Sequence, residues 1–190
     1  NLSQTLIVGS ICSISFCGAF ENFPKKFSAE NLKIVSCPNL LQLTNKDLTL
    51  NSLDISYCNK LKKLSRNLTV FGKVKISKCE NLLQLTRKDL TLNSLDISYC
   101  KKLEKFSRNL TVFGEVKISK CRELQKIVDR TLSSSGGIVI NNCKKLEVVA
   151  GKFIHVHKLK LKNCDSLEII AKTLNIQTDL VIRNCTRLMN

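Results

Sequence analysis

Two histidines and fifteen carboxylates are the residues of this 190-residue chain that could carry acid–base or metal chemistry. His155 and His157 stand one residue apart in FIHVH. Alternate residues of a strand share a face, so this pair could chelate a metal ion. No third ligand accompanies them, and the aspartates and glutamates are scattered among lysines rather than clustered. We therefore expect ordinary surface histidines, with no catalytic residue, no metal site, no cofactor and no enzymatic activity.

The ten cysteines are the second group of reactive side chains, and all but Cys12 recur at spacings of 20 to 22 residues. A cysteine in an apolar context behaves as a small buried hydrophobe, and stacked neighbours have parallel side chains that suit a disulfide poorly. We expect mostly buried free thiols, with Cys12 and Cys17 as the candidate disulfide. The periodic residues are Cys17, Cys37, Cys58, Cys79, Cys100, Cys121, Cys143, Cys164 and Cys185.

Short alternating apolar runs precede these cysteines, as in Leu53-Asp54-Ile55, and predict strands with one buried face. A second alternating run follows in each unit, as in Leu48-Thr49-Leu50. One unit of about 21 residues cannot bury its apolar face alone, so the units must stack as coils, with strands about 4.8 Å apart. The sequence predicts an all-β or mostly β solenoid of about nine coils with parallel sheets, forming one domain over residues 1–190.

The frame L-x-I-x-x-C-x-x-L-x-x-L resembles the leucine-rich repeat in its cysteine-bearing forms, from Cys17 to Leu188. The resemblance implies a horseshoe that recognises other proteins. The second run departs from this pattern because it reads as strand rather than helix, as in the three-sided coils of growth-factor-receptor L domains. A right-handed β-helix is therefore slightly favoured, with the leucine-rich-repeat horseshoe as the alternative.

A block of two coils occurs twice, because residues 39–80 and 81–122 are nearly identical. A solenoid tolerates such a duplication, since adding whole coils preserves every stacking contact. Two outward positions of the block alternate between partners: opposite charges four residues before each cysteine, and tyrosine with lysine directly before it. We expect these ladders to hold the coils in register. The two series are Asp54, Lys75, Asp96 and Lys117, and Tyr57, Lys78, Tyr99 and Lys120.

The net charge of +16 predicts attraction to polyanions. A basic residue lies eight or nine residues after most of the periodic cysteines, which predicts one cationic ridge along the stack. An acidic glycan or another polyanion could bind there. Nucleic acid is less favoured because no aromatic stacking platform accompanies the charge. The ridge candidates are Lys25, Lys46, Arg66, Arg87, Arg108, Arg130, Lys152 and Lys172.

Four N-x-S/T sequons, at Asn1, Asn67, Asn109 and Asn184, favour an extracellular, glycosylated protein, with a cytoplasmic location as the alternative. A row of outward threonines (Thr49, Thr69, Thr91 and Thr111) could suit ice binding, but β-propensity explains it better. No run of 18 apolar residues occurs, so we expect no membrane span.

The chain begins and ends at the same phase of the coil, which predicts a structural or scaffolding protein that stacks head to tail into filaments. The candidate stacking residues are Leu6, Val8, Leu180, Ile182 and Leu188. The alternative is a recognition module of the leucine-rich-repeat kind that binds an acidic partner.

Overall fold

The computed structural model describes residues 5–44, 47–65, 67–86, 89–173 and 175–189. They form a parallel β-solenoid, and the only helical element in these ranges is a 3-10 turn at Thr186–Met189. Strand β2 and its successors pair in chain order into a nine-stranded parallel sheet, the large sheet. No helix in the described ranges is long and apolar enough to cross a membrane. The strands of the large sheet are β2 (Ile11–Ser15), β4 (Asn31–Val35), β6 (Ser52–Ser56), β8 (Lys73–Ser77), β10 (Ser94–Ser98), β12 (Val116–Ser119), β14 (Ile138–Asn141), β16 (Leu159–Lys162) and β17 (Leu180–Arg183).

The second side of the coils consists, in the described ranges, of eight strands of three to five residues, as the second alternating run predicted. These strands pair in parallel as β1 with β3, β5 with β7, and β9 through β11 and β13 to β15. The third side, five residues after each cysteine, is held by single parallel bridges such as Gln42 to Lys63. The strands of the second side are β1 (Thr5–Ile7), β3 (Lys26–Ser28), β5 (Leu48–Leu50), β7 (Leu68–Val70), β9 (Leu90–Leu92), β11 (Leu110–Val112), β13 (Thr131–Ser134) and β15 (Lys152–Val156).

The core is a continuous apolar interior built by identical positions of successive coils. In β6 the side chains of Leu53 and Ile55 are buried while Asp54 between them faces outward, as the period of two predicts. The periodic cysteines from Cys37 to Cys164 are fully buried, whereas Cys17 is exposed. Burial of these repeated aliphatic side chains, at about 25 cal/mol per Å² of apolar surface, is the main stabilising term of the fold.

The residue directly before each periodic cysteine adopts a left-handed backbone, with φ between 53° and 57°. This conformation turns the chain at the end of the large sheet, and it costs most residues about 1–2 kcal/mol. Asparagine tolerates it best among non-glycine residues, and it occupies the position in the last three coils at Asn142, Asn163 and Asn184. In the duplicated block the position holds Tyr57, Lys78 and their copies instead.

Side-chain contacts between neighbouring coils support those strained residues, and they confirm the tyrosine–lysine ladder. The Lys78 ammonium lies 4.3 Å from the ring centroid of Tyr57 and 5.9 Å from that of Tyr99. Lys120 lies 4.5 Å from the Tyr99 ring and donates a hydrogen bond to its hydroxyl, which lowers the pKa of Tyr99. The predicted charge register is also present, because Asp96 pairs in the sheet with Lys75 and Lys117. Lys117 forms its ion pair with Glu115, at 2.8 Å, rather than with Asp96.

The 42-residue duplication reflects a two-coil unit whose corners alternate in length. Each coil has one corner before the strand of its second side and another after it, and the length of a corner is the number of residues between the buried residues that flank it. In the coil of Cys37 the first corner has four residues and the second has two. In the coil of Cys58 both corners have three residues. The coils of Cys79 and Cys100 repeat this alternation. Each coil therefore keeps six corner residues and a length of 21, although the two kinds of coil differ in shape.

The extra residue of each longer second corner is a phenylalanine, Phe71 or Phe113, and each is 62% exposed. The glycine that follows lies against the preceding coil: a Cβ on Gly114 would meet the Asn93 carbonyl oxygen at 2.7 Å, and one on Gly72 would meet that of Asn51. The Gly114 N–H donates to the same Asn93 oxygen at 2.6 Å. Glycine is therefore required here by close backbone approach.

Candidate binding surface

Five of the eight predicted ridge residues lie in the described part of the chain. Lys25, Arg108, Arg130, Lys152 and Lys172 are all exposed. Three other predicted members, Lys46, Arg66 and Arg87, lie outside the described residues. Most of the described ridge residues therefore lie between Arg108 and the carboxyl-terminal coils.

Backbone hydrogen bonds connect the central ridge residues of successive coils. The Arg130 N–H donates to the Arg108 carbonyl at 3.0 Å, and the Lys152 N–H donates to the Arg130 carbonyl at 2.8 Å. The Lys172 N–H continues the stack by donating to the Gly151 carbonyl at 3.2 Å. Lys152 pairs in the sheet with Thr131, the residue after Arg130, so cations of successive coils lie on the same corner of the stack but not in direct register.

Most ion pairs of the described residues join coils at a different corner, just after the cysteines. Lys101 contacts Glu80 at 2.6 Å, and Lys145 contacts Glu123 at the same distance. Among the described residues, Arg108, Arg130, Lys152 and Lys172 form no ion pair. These four ridge residues therefore retain their charge, while several cations of the cysteine corner are paired with carboxylates of a neighbouring coil.

A shallow groove of about 530 Å³ runs beside the ridge in the last coils. Its cationic lining residues are Lys126, Arg130, Lys152 and Lys172. The apolar side chains among its lining residues are Val148, Ala150 and Ile169. The one carboxylate in the lining, Asp129, lies 3.8 Å from the Lys126 ammonium.

The groove was not predicted from the sequence, although the sequence carries a signal for it. Five residues after the cysteine, earlier coils carry outward polar residues such as Gln84 and Lys105, whereas the last two positions are Val148 and Ile169. Ile169 is 48% exposed. The change from polar to aliphatic residues at one outward position could have been read from the aligned coils.

The cysteines form a ladder of free thiols in the structure. Their Sγ atoms donate to the carbonyl two residues earlier, at 3.5 Å from Cys79 to Ser77 and 3.4 Å from Cys164 to Lys162. Burial raises the pKa of Cys164 to about 12 and also raises the pKa of Cys37. The candidate disulfide pair, Cys12 buried in β2 and Cys17 exposed, consists of two free thiols.

The described sequon asparagines hydrogen-bond to neighbouring coils. The Asn67 amide donates to Asp47, and the Asn184 amide donates to Asn163 at 2.9 Å. Asn109 uses its side-chain oxygen instead, accepting from the Thr131 N–H at 3.1 Å and from its hydroxyl at 2.8 Å. Glycosylation of Asn67 or Asn184 would have to replace an existing bond. Asn1 lies outside the described residues, and sequon use and an extracellular location stay predictions.

The remaining candidate residues are the two histidines and the predicted stacking residues. His155 and His157 are both exposed, and the His157 ring lies 3.4 Å from the Gln177 side chain. The described residues contain no group of three His, Cys, Asp or Glu side chains placed to hold a metal ion. Of the candidate stacking residues, Leu180 is 48% exposed, while Leu6, Val8, Ile182 and Leu188 are partly buried against the core.

The chain was compared with protein-family models, curated proteins and solved structures, and none of the three comparisons found a match. The β-solenoid therefore rests on the chain's own geometry, and membership of the leucine-rich-repeat family stays a prediction.

Proposed function

We propose that this protein is a non-enzymatic recognition scaffold that binds an acidic partner along its cationic ridge. The observation that carries the proposal is the stack of Arg108, Arg130 and Lys152, whose side chains are exposed and form no ion pair within the described residues. Like charges at strand spacing repel one another. A partner with closely spaced negative charges would relieve that repulsion along the whole row.

The solenoid supplies the rigidity that such recognition needs. Parallel backbone hydrogen bonds fix each ridge residue relative to the next, so little conformational entropy is lost in the backbone when a partner binds. Side chains of arginine add bidentate hydrogen bonding to carboxylate or sulfate groups. Complementary charge of this kind accelerates association and makes affinity sensitive to salt.

The test is charge reversal on the ridge, with fluorescein-labelled poly-L-glutamate as the probe and fluorescence anisotropy as the measurement. The double variant Arg108→Glu/Lys152→Glu should bind about tenfold more weakly or worse. The matched control, Lys60→Glu/Lys73→Glu, changes the net charge equally at exposed lysines off the ridge and should lose much less. Equal loss in both variants would show that overall charge, rather than the ridge, controls binding.

Head-to-tail stacking into filaments is the second candidate function. Coils of the duplicated block pair with one another in the same register, and this observation favours stacking. Strand β8, for example, pairs in the same register with β6 and with β10. Electron microscopy of the 190-residue chain over a concentration series tests it. Thin straight fibres whose formation is abolished by Leu180→Asp would support stacking, and monomers at every concentration would refute it.

A further inference from the structure

The groove beside the ridge has a chemical character that the ridge alone does not explain. At the corresponding outward position most earlier coils carry amides or lysines, which solvate well, but Val148 and Ile169 are aliphatic. They are bridged to each other across adjacent coils, so their side chains are neighbours on one surface. Ile169 is 48% exposed and Val148 is half-buried, so an aliphatic surface replaces polar side chains at this position and is available to an apolar group of a partner.

The edges of the groove carry the opposite character. Arg130, Lys152 and Lys172 are exposed around the apolar floor, and Lys126 is partly exposed. Asp129 is the single acidic residue of the lining, and it already contacts Lys126 at 3.8 Å. The groove therefore offers aliphatic contact along its floor and positive charge along its edges within one shallow channel.

This combination selects among acidic partners. A sulfated glycan or a polyphosphate would satisfy the cations, but it has no aliphatic groups to cover Val148 and Ile169. An acidic peptide that also carries leucine, isoleucine or valine supplies both kinds of contact. Its carboxylates would pair with Arg130, Lys152 and Lys172, and its aliphatic side chains would remove Ile169 from water.

We propose that this groove is a binding site for an acidic peptide segment bearing aliphatic side chains. This inference rests on the proposed function, since the groove shares Arg130, Lys152 and Lys172 with the ridge. It goes further by naming the partner as a protein segment and Ile169 as a residue that determines specificity.

The test compares two labelled peptides of equal length and charge, one alternating glutamate with leucine and the other glutamate with serine. Wild-type protein should bind the leucine peptide about tenfold more tightly than the serine peptide. Ile169→Ser should remove most of that preference and leave affinity for poly-L-glutamate unchanged. Leu41→Ser is the matched control, because Leu41 is 41% exposed in a different coil, and it should leave the preference intact.

Three results separate the two proposals. Equal affinity of the wild type for both peptides, or an unchanged preference in Ile169→Ser, would overturn the groove proposal while leaving the ridge in place. Tighter binding of heparin than of the leucine peptide, insensitive to Ile169→Ser, would also overturn it and assign the surface to glycans. Absence of binding to poly-L-glutamate and to both peptides would refute the ridge and the groove together.

Discussion

Alkaline unfolding should report directly on the buried thiol ladder, and Cys164 gives the sharpest case. Its side chain is fully buried, and burial raises its pKa to about 12 from an ordinary value of 9.0. A raised thiol pKa means that the folded protein holds the proton more tightly than the unfolded chain. The resulting stability is fully present below about pH 9 and is lost as the pH rises towards about 12.

The magnitude follows from the size of the pKa shift. Each pH unit between the two pKa values costs about 1.4 kcal/mol of unfolding free energy for one thiol. By about pH 11 Cys164 alone should therefore cost the wild type about 2.7 kcal/mol relative to about pH 8. Cys37, whose pKa is also raised by burial, adds to the decline.

Urea denaturation followed by circular dichroism, at several pH values across this range, measures the effect. Cys164→Ala should start less stable at neutral pH because it leaves a small cavity, but its stability should fall less steeply above pH 9 by the amount above. Cys17→Ala removes an exposed cysteine of the same series and serves as the control, because it leaves Cys164 in place, and its stability should fall more steeply above pH 9 than that of Cys164→Ala. Parallel declines in wild type and Cys164→Ala would refute the description of Cys164 as a buried protonated thiol.

Two further predictions concern the two-coil unit. Gly114→Ala should destabilise the protein by about 1–3 kcal/mol in thermal unfolding, because its Cβ would lie 2.7 Å from the Asn93 carbonyl oxygen. The control is Gly18→Ala, whose Cβ would meet no atom within 4 Å and which should be close to neutral. Deletion of residues 81–122 removes a whole two-coil unit and should leave a cooperatively folded protein. Deletion of residues 101–121 removes half as many residues but breaks the alternation, because the coil of Cys79 then stacks directly against the coil that follows Cys121. It should lower the melting temperature more, and the reverse order would show that corner alternation does not matter.

The cysteine period and the alternating runs allowed the solenoid, its parallel sheets and its buried cysteine positions to be predicted from sequence. The signal is strong because one apolar pattern is repeated in every coil, so a misassigned residue in one coil does not change the assignment of the others. The tyrosine–lysine ladder could also be predicted, since Tyr57 and Lys78 occupy the same position one coil apart. The second run was predicted to be a strand from Leu48-Thr49-Leu50, and β5 confirms it.

Other features depended on geometry that residue types do not reveal. Tyr57 and Lys78 are poor indicators of a left-handed turn, and only the asparagines of the last coils hinted at it. The alternating corners were hidden because a longer corner compensates a shorter one within each coil, so the cysteine spacing stays at 21. The groove was missed because Val148 and Ile169 read as ordinary apolar residues until the bridges placed them on the outside.

The salt dependence of poly-L-glutamate binding tests the central claim most directly. If Arg108, Arg130 and Lys152 together contact about three carboxylates, counterion release should weaken wild-type binding by about 20- to 40-fold between about 50 and about 200 mM salt. The same titration with Arg108→Glu/Lys152→Glu should give a clearly shallower slope. A wild-type affinity independent of salt, or identical slopes for the two proteins, would contradict recognition by the cationic ridge.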